Sequence, residues 1–153
     1  MSALFTKLNR GAHDTVYVLG APASFDAALA ELEAVAVKRK IGARDRVGFG
    51  IGFAITAADR DAISAALAKA AADDAVIWLA YPKGTSKRYR AEFNRDGGWD
   101  VFGAAGFEPV RQVAIDEDWS ALRFRRVQHI KTMTRSFAIT DEGKRKVGQR
   151  RRA

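Results

Sequence analysis

The sequence predicts an α/β fold of Rossmann-like type, a three-layer sandwich on a mostly parallel sheet that ends in a C-terminal antiparallel hairpin. Three observations predict it. Short β-branched or aromatic runs alternate with stretches of helical periodicity. One run, Ala75 to Tyr81, is continuously apolar, as a strand covered on both faces is. Two late strand-like runs are joined by a turn that allows only antiparallel pairing.

Each element has its own signal. Thr15-Val-Tyr-Val-Leu19 reads as a buried first strand closed by Gly20 and Pro22. Ser24 is expected to cap a helix in which Phe25, Ala28, Leu29 and Leu32 recur at helical spacing, with Asp26 in the first turn. Val35, Val37 and Ile41 suggest a second strand ending at Gly42. In Val47 to Ile55, bulky Val47, Phe49, Ile51, Phe53 and Ile55 alternate with Gly48, Gly50, Gly52 and Ala54, leaving one face almost bare. Thr56 begins a second helix, with Asp59 in its first turn and Ile63, Ala66, Leu67 and Ala70 as its inner stripe. The apolar strand follows and stops at Pro82. A short helix is expected around Trp99 to Ala105, closed by Gly106, and then the hairpin Val110 to Ile115 and Ala121 to Val127. In the connecting turn, Asp118 and Ser120 are expected to cap the backbone while Trp119 packs over the sheet edge.

A chain of 153 residues, 48% hydrophobic and 29% charged, can bury a core without staples, so residues 1–127 read as one domain. The absence of cysteine excludes thiol nucleophiles, thiolate zinc sites, iron–sulfur clusters and redox pairs. His13 and His129 leave little for a histidine metal centre, so no metal is expected, and the identity of any cofactor is left open. Net charge is +8, unevenly spread: residues 1–119 hold 15 basic and 16 acidic side chains (net −1), residues 120–153 hold 11 and 2 (net +9). Residues 128–153 therefore read as a basic tail, expected to be disordered. With no secretory h-region at the start and no apolar run of membrane length, a cytoplasmic location is expected.

Several patterns mimic functional motifs. The glycines of Gly48-Phe-Gly-Ile-Gly52 alternate within a strand, so they read as a bare face for helix packing and not as a dinucleotide fingerprint. Pro82-Lys-Gly-Thr-Ser-Lys87 lacks the P-loop order, but it follows a central strand, where open α/β sheets bind ligands. From Lys83 to Asp96 there are five basic residues against two acidic ones, and the hydroxyls of Thr85 and Ser86 beside them suit an anion. The candidate anion or ligand residues are Gly20, Lys83, Ser86, Lys87, Asp116, Trp119 and Ser120. A Ser120–His129–Asp triad rests on proximity alone. Phe137 to Arg145 imitates a wing, but only about ten residues separate it from the last strand, too few for a recognition helix. Thr140 is expected to start a helix instead.

Val18-Leu-Gly-Ala-Pro22, Ala75-Val-Ile-Trp-Leu-Ala-Tyr-Pro-Lys83 and Val113-Ala-Ile-Asp-Glu-Asp-Trp-Ser-Ala-Leu-Arg-Phe124 resemble a bacterial family designated domain of unknown function 3052, over roughly residues 3–126. That family has a strand ending Trp-Pro-Lys and a late Asp-x-x-Trp-Ser-Gly-Leu-(Lys/Arg)-Phe signature; Tyr81 and Ala121 stand here for the first Trp and the Gly. The resemblance implies a small Rossmann-like domain, assigns no activity, and marks Lys83, Asp116, Trp119 and Ser120 as motif positions.

The leading expectation is a non-enzymatic binding protein whose basic C-terminal segment contacts nucleic-acid phosphates through Lys131, Arg135, Lys144, Arg145, Lys146, Arg150, Arg151 and Arg152. One alternative is a site for a nucleotide or another small anion at the strand carboxyl ends, as in a reduced relative of methyltransferase-like enzymes. No catalytic base, nucleophile or metal set stands out to support chemistry there. Another is a protein-interaction module or homo-oligomer using the edge of the final hairpin. No membrane partner is expected.

Overall fold

In a computed structural model, which describes residues 3–130, six strands form one sheet in the order β2-β1-β3-β4-β6-β5. In chain order the elements are α1 (Ala3–Lys7), β1 (Thr15–Leu19), α2 (Asp26–Ala30), β2 (Ala36–Lys38), β3 (Val47–Phe53), α3 (Ala57–Ala70), β4 (Ala71–Pro82), α4 (Asp100–Ala104), β5 (Phe107–Ala114) and β6 (Trp119–Arg126). The first four strands pair in parallel, and β6 runs antiparallel to both β4 and β5. The strand order reverses around β1, whose two neighbours are β2 and β3. This is the α/β sandwich with a closing hairpin that the alternation of runs predicts.

The period-two pattern of the strands sorts the core into two layers. On the first face Phe5 of α1 and Leu8 just after it, and Phe25 and Leu29 of the α2 region, meet Val16, Val18, Phe49, Ile51, Phe53, Trp78 and Trp119. The Trp78 indole N–H donates to the Leu8 carbonyl at 2.8 Å, which ties α1 to the central strand. On the second face Leu67 and Ala70 of α3 and Phe102 of α4 pack on Tyr17, Ile77, Leu79 and Phe124. The bare face of β3 lies under α3: a Cβ on Gly50 would sit 2.8 Å from Leu67 Cδ2, and one on Gly52 would collide with Ile63 Cγ2. Gly50 and Gly52 are therefore a helix seat, as read from their spacing, whereas Gly48 lies against the His13 ring.

The structure also departs from several expectations. α1 has no precursor in the sequence reading. Ser24 caps nothing; a 3-10 turn over Ala23–Phe25 leads into α2 without a side-chain cap. β3 ends at Phe53, two residues short of Ile55. Ala66 of α3 is exposed, and the buried positions are Ser64, Leu67 and Ala70. β4 starts at Ala71, directly after α3, because two steps along β3 (Val47 to Phe49) face five along β4 (Ala71 to Val76) and the surplus residues bulge out. That bulge is gripped from β6. Arg126 donates to the carbonyls of Ala71, Ala72 and Asp73, and Arg125 chelates the Asp74 carboxylate at 2.8 and 2.7 Å.

Candidate functional site

Beyond the carboxyl end of β4 the chain runs through an irregular loop, residues 83–94, fastened at both ends. At the near end the Lys83 N–H donates to the Asp118 carbonyl at 2.8 Å, extending the β4–β6 ladder into the hairpin turn. The Ser86 hydroxyl donates to Asp118 Oδ1 at 2.8 Å and accepts from the N–H groups of Arg88 and Tyr89 at 3.3 and 3.1 Å. At the far end the Glu92 N–H donates to the Ile55 carbonyl at 3.0 Å, and Glu92 Oε1 accepts from the Ala57 N–H at 2.7 Å. A carboxylate thus sits at the positive end of α3, beside the Thr56 side chain that accepts from the Asp59 N–H at 3.1 Å.

Two clefts flank this loop. One, of about 380 Å³, is lined by Tyr81, Pro82, Lys83, Gly84, Ser86, Tyr89, Arg90, Ala91, Glu92, Phe93 and Asn94. The other, of about 460 Å³, is lined by Thr85, Lys87, Arg88, Glu117 and Asp118. In the first, the ring of Tyr89 packs 5.2 Å from Trp119, and Phe93 lies 5.4 Å from Trp99 and 5.8 Å from Tyr81. Each aromatic wall is thereby backed by a buried tryptophan. The Tyr81 hydroxyl accepts from Gln112 Nε2 at 3.1 Å, and burial raises its pKa above the ordinary value, with Arg95 opposing and Asp96 adding, so it is a neutral donor near pH 7.

The cations of the loop differ in how far their charge is used. Arg88 faces Asp118 at 4.0 Å and Arg95 faces Asp96 at 3.6 Å. Among the described residues, Lys83, Lys87 and Arg90 have no ion-pair partner.

The structure brings only part of the predicted set together. Lys83 and Ser86 line the first cleft and Lys87 the second, but Ser86 is committed to the turn. Asp116, and not Asp118 or Ser120, caps the hairpin turn: its Oδ1 accepts from the N–H groups of Asp118 and Trp119 at 2.8 and 2.9 Å. Trp119 is a core residue, 3% exposed, whose indole N–H has no partner among the described residues; it does not lie over the sheet edge. Ser120 is buried in register with Tyr81, and His129 lies in a 3-10 turn with Nε2 3.3 Å from Asp73. Gly20, at φ +69°, sits where a Cβ would be 2.9 Å from the Phe53 carbonyl oxygen, and lines neither cleft. Sequence reasoning missed Tyr89, Phe93 and the capping role of Glu92. The sequence offers only an indirect signal for them, two aromatics and a carboxylate within a basic loop. Lys131, Arg135, Lys144, Arg145, Lys146, Arg150, Arg151 and Arg152, and the helix expected from Thr140, lie outside the described residues.

No family model matches the chain, and no curated protein matches it. Among solved structures it is similar to the glycopeptide N-methyltransferase MtfA complexed with sinefungin. Identity is 11% and the TM-score 0.42, over 80% of this chain and 85% of that one.

Proposed function

We propose that this protein binds a small anionic molecule, phosphate- or carboxylate-bearing, in the cleft between the end of β4 and the loop 83–94. One observation carries the reading: Lys83 and Arg90 line the same cleft and hold unspent charge, whereas nearby Arg88 and Arg95 face carboxylates. The cleft lies on the carboxyl-end edge of the parallel strands, the edge at which open α/β sheets receive ligands, two strands from the order reversal at β1. Tyr89 and Phe93 offer apolar walls for the remainder of a ligand, and Tyr81 a neutral hydroxyl. The reading is one of binding; no reaction is assigned.

A thermal-shift titration with inorganic phosphate, nucleoside monophosphates and short dicarboxylates tests it, because a ligand that binds only the folded state raises Tm with concentration. At least one of these anions should stabilise the wild type, and K83A and R90A should each reduce the shift. Stabilisation by none of them, or an equal shift in both variants, would remove the reading.

A second reading, contact of the C-terminal segment with nucleic-acid phosphates, is favoured by the net +9 carried by residues 120–153. It requires oligonucleotide affinity that falls steeply with salt and disappears on deleting residues 136–153; affinity unchanged by that deletion would refute it.

A further inference from the structure

Away from this loop, on the sheet face that carries α1, register sets Arg111 of β5 directly opposite Arg123 of β6, which in turn stands opposite Trp78 of β4. Opposed residues of an antiparallel pair share a face, and like charges so placed destabilise the pairing. The surrounding charges are largely accounted for. Arg125 is chelated by Asp74, and Glu108, wholly buried opposite Arg125, has an interaction of its own. Arg111 donates Nη1 to the neutral Asn9 side chain at 3.1 Å and has no ion-pair partner among the described residues.

Arg123 is the exception. It is half-buried, forms no hydrogen bond or ion pair among the described residues, and its Nε is shut off from solvent without a partner. Burial lowers its pKa first, then the Arg125 charge; Asp74 opposes and Arg111 adds to the lowering. A guanidinium nevertheless remains charged in a protein, so a desolvated, unpaired one beside a second guanidinium asks for an anion.

We infer that Arg111 and Arg123 form an oxyanion clamp on the β5–β6 face, for a phosphate group that is either free or part of a nucleic-acid strand. An oxyanion between the two forks accepts hydrogen bonds from both and turns a like-charge pair into a bridged one. The clamp is separate from the cleft at Lys83: Trp78, its neighbour on β4, is five residues before Lys83, about 16 Å along an extended chain.

Calorimetry of the full chain with inorganic phosphate and with a short single-stranded oligonucleotide tests the clamp, in a K83A/R90A background that silences the first site. R111Q and R123Q should each weaken at least one of these by about tenfold, as the loss of charge-assisted hydrogen bonds predicts. A loss confined to phosphate assigns a free ion; a loss confined to the oligonucleotide assigns a phosphodiester, and must also be seen with residues 136–153 deleted. Should R123Q not fold, R111Q carries the test, since Arg111 is exposed. Unchanged affinity for both probes in the variants that fold would overturn the clamp, as would an R123M protein that melts higher than wild type and keeps its full response to phosphate. Because the two sites use different residues, loss of the cleft reading leaves this one standing, and the reverse.

Discussion

At Gly52 a single hydrogen is what lets α3 reach the sheet. Any Cβ there meets the Ile63 side chain, with Leu67 Cδ1 in contact beside it at 3.5 Å. G52A is expected to cost about 1–3 kcal/mol by overpacking, read as a lower urea midpoint with an unchanged slope. Asp74 offers a test by pH. Hydrogen bonds from Arg125 are the main cause that holds its carboxyl below the usual carboxylate range. A folded-state pKa below the unfolded one contributes stability above the unfolded value and loses it as pH falls through the folded value. Wild-type stability should therefore decline more steeply than that of D74N from about pH 4 downward, measured by urea unfolding at a series of pH values. The effect is small because both partners are partly exposed, with side-chain exposures of 34% and 40%.

Among the elements, α3 has an N-terminus served by two caps from different parts of the chain, Thr56 locally and Glu92 from the loop. T56A should cost about 1 kcal/mol of global stability. E92A should show a similar cap loss and, in addition, free one end of the loop: faster amide exchange or proteolysis within residues 83–94, which T56A should not produce. Thr56 was legible in the sequence, because a capping residue announces itself beside its helix, whereas Glu92 acts from 35 residues away. The same contrast explains the strands. β1, β3 and the centre of β4 show in their apolar alternation or continuity. The start of β4 does not, since Asp73 and Asp74 read as polar loop and are accommodated only because they bulge toward β6. Trp119 looked like an edge residue because it lies in a turn-forming sequence, and only the antiparallel return of β6 puts it under Tyr89 and beside Phe53.

For the whole molecule, strand direction sets the end of the described chain apart from the basic loop 83–94. β6 runs antiparallel to β4, so residue 130 leaves near the start of β4 while the loop 83–94 leaves from its end. Those points are one strand length apart: Ala71–Ala80 covers only the span of Val47–Phe53 on β3, and with two further residues to Pro82 the separation is about 26 Å. A chain ending at residue 135 should keep its thermal response to small anions in full while losing any salt-sensitive oligonucleotide affinity that the tail supplies, as thermal-shift and fluorescence-anisotropy measurements would show. The sum of +8 conceals this division; its location depends on strand direction, which composition does not encode.

The grip of Arg125 and Arg126 on the bulge at the head of β4 has a mechanical consequence. Tension applied through the chain beyond residue 130 pulls along β6, which is flanked on both sides by paired strands. It would have to shear two ladders together, after releasing the contacts of Gln128 and His129 with Asp73, the Val127 N–H from the Gly106 carbonyl, and the guanidinium of Arg126 from three carbonyls. A tether attached there can be pulled without peeling the sheet from an edge.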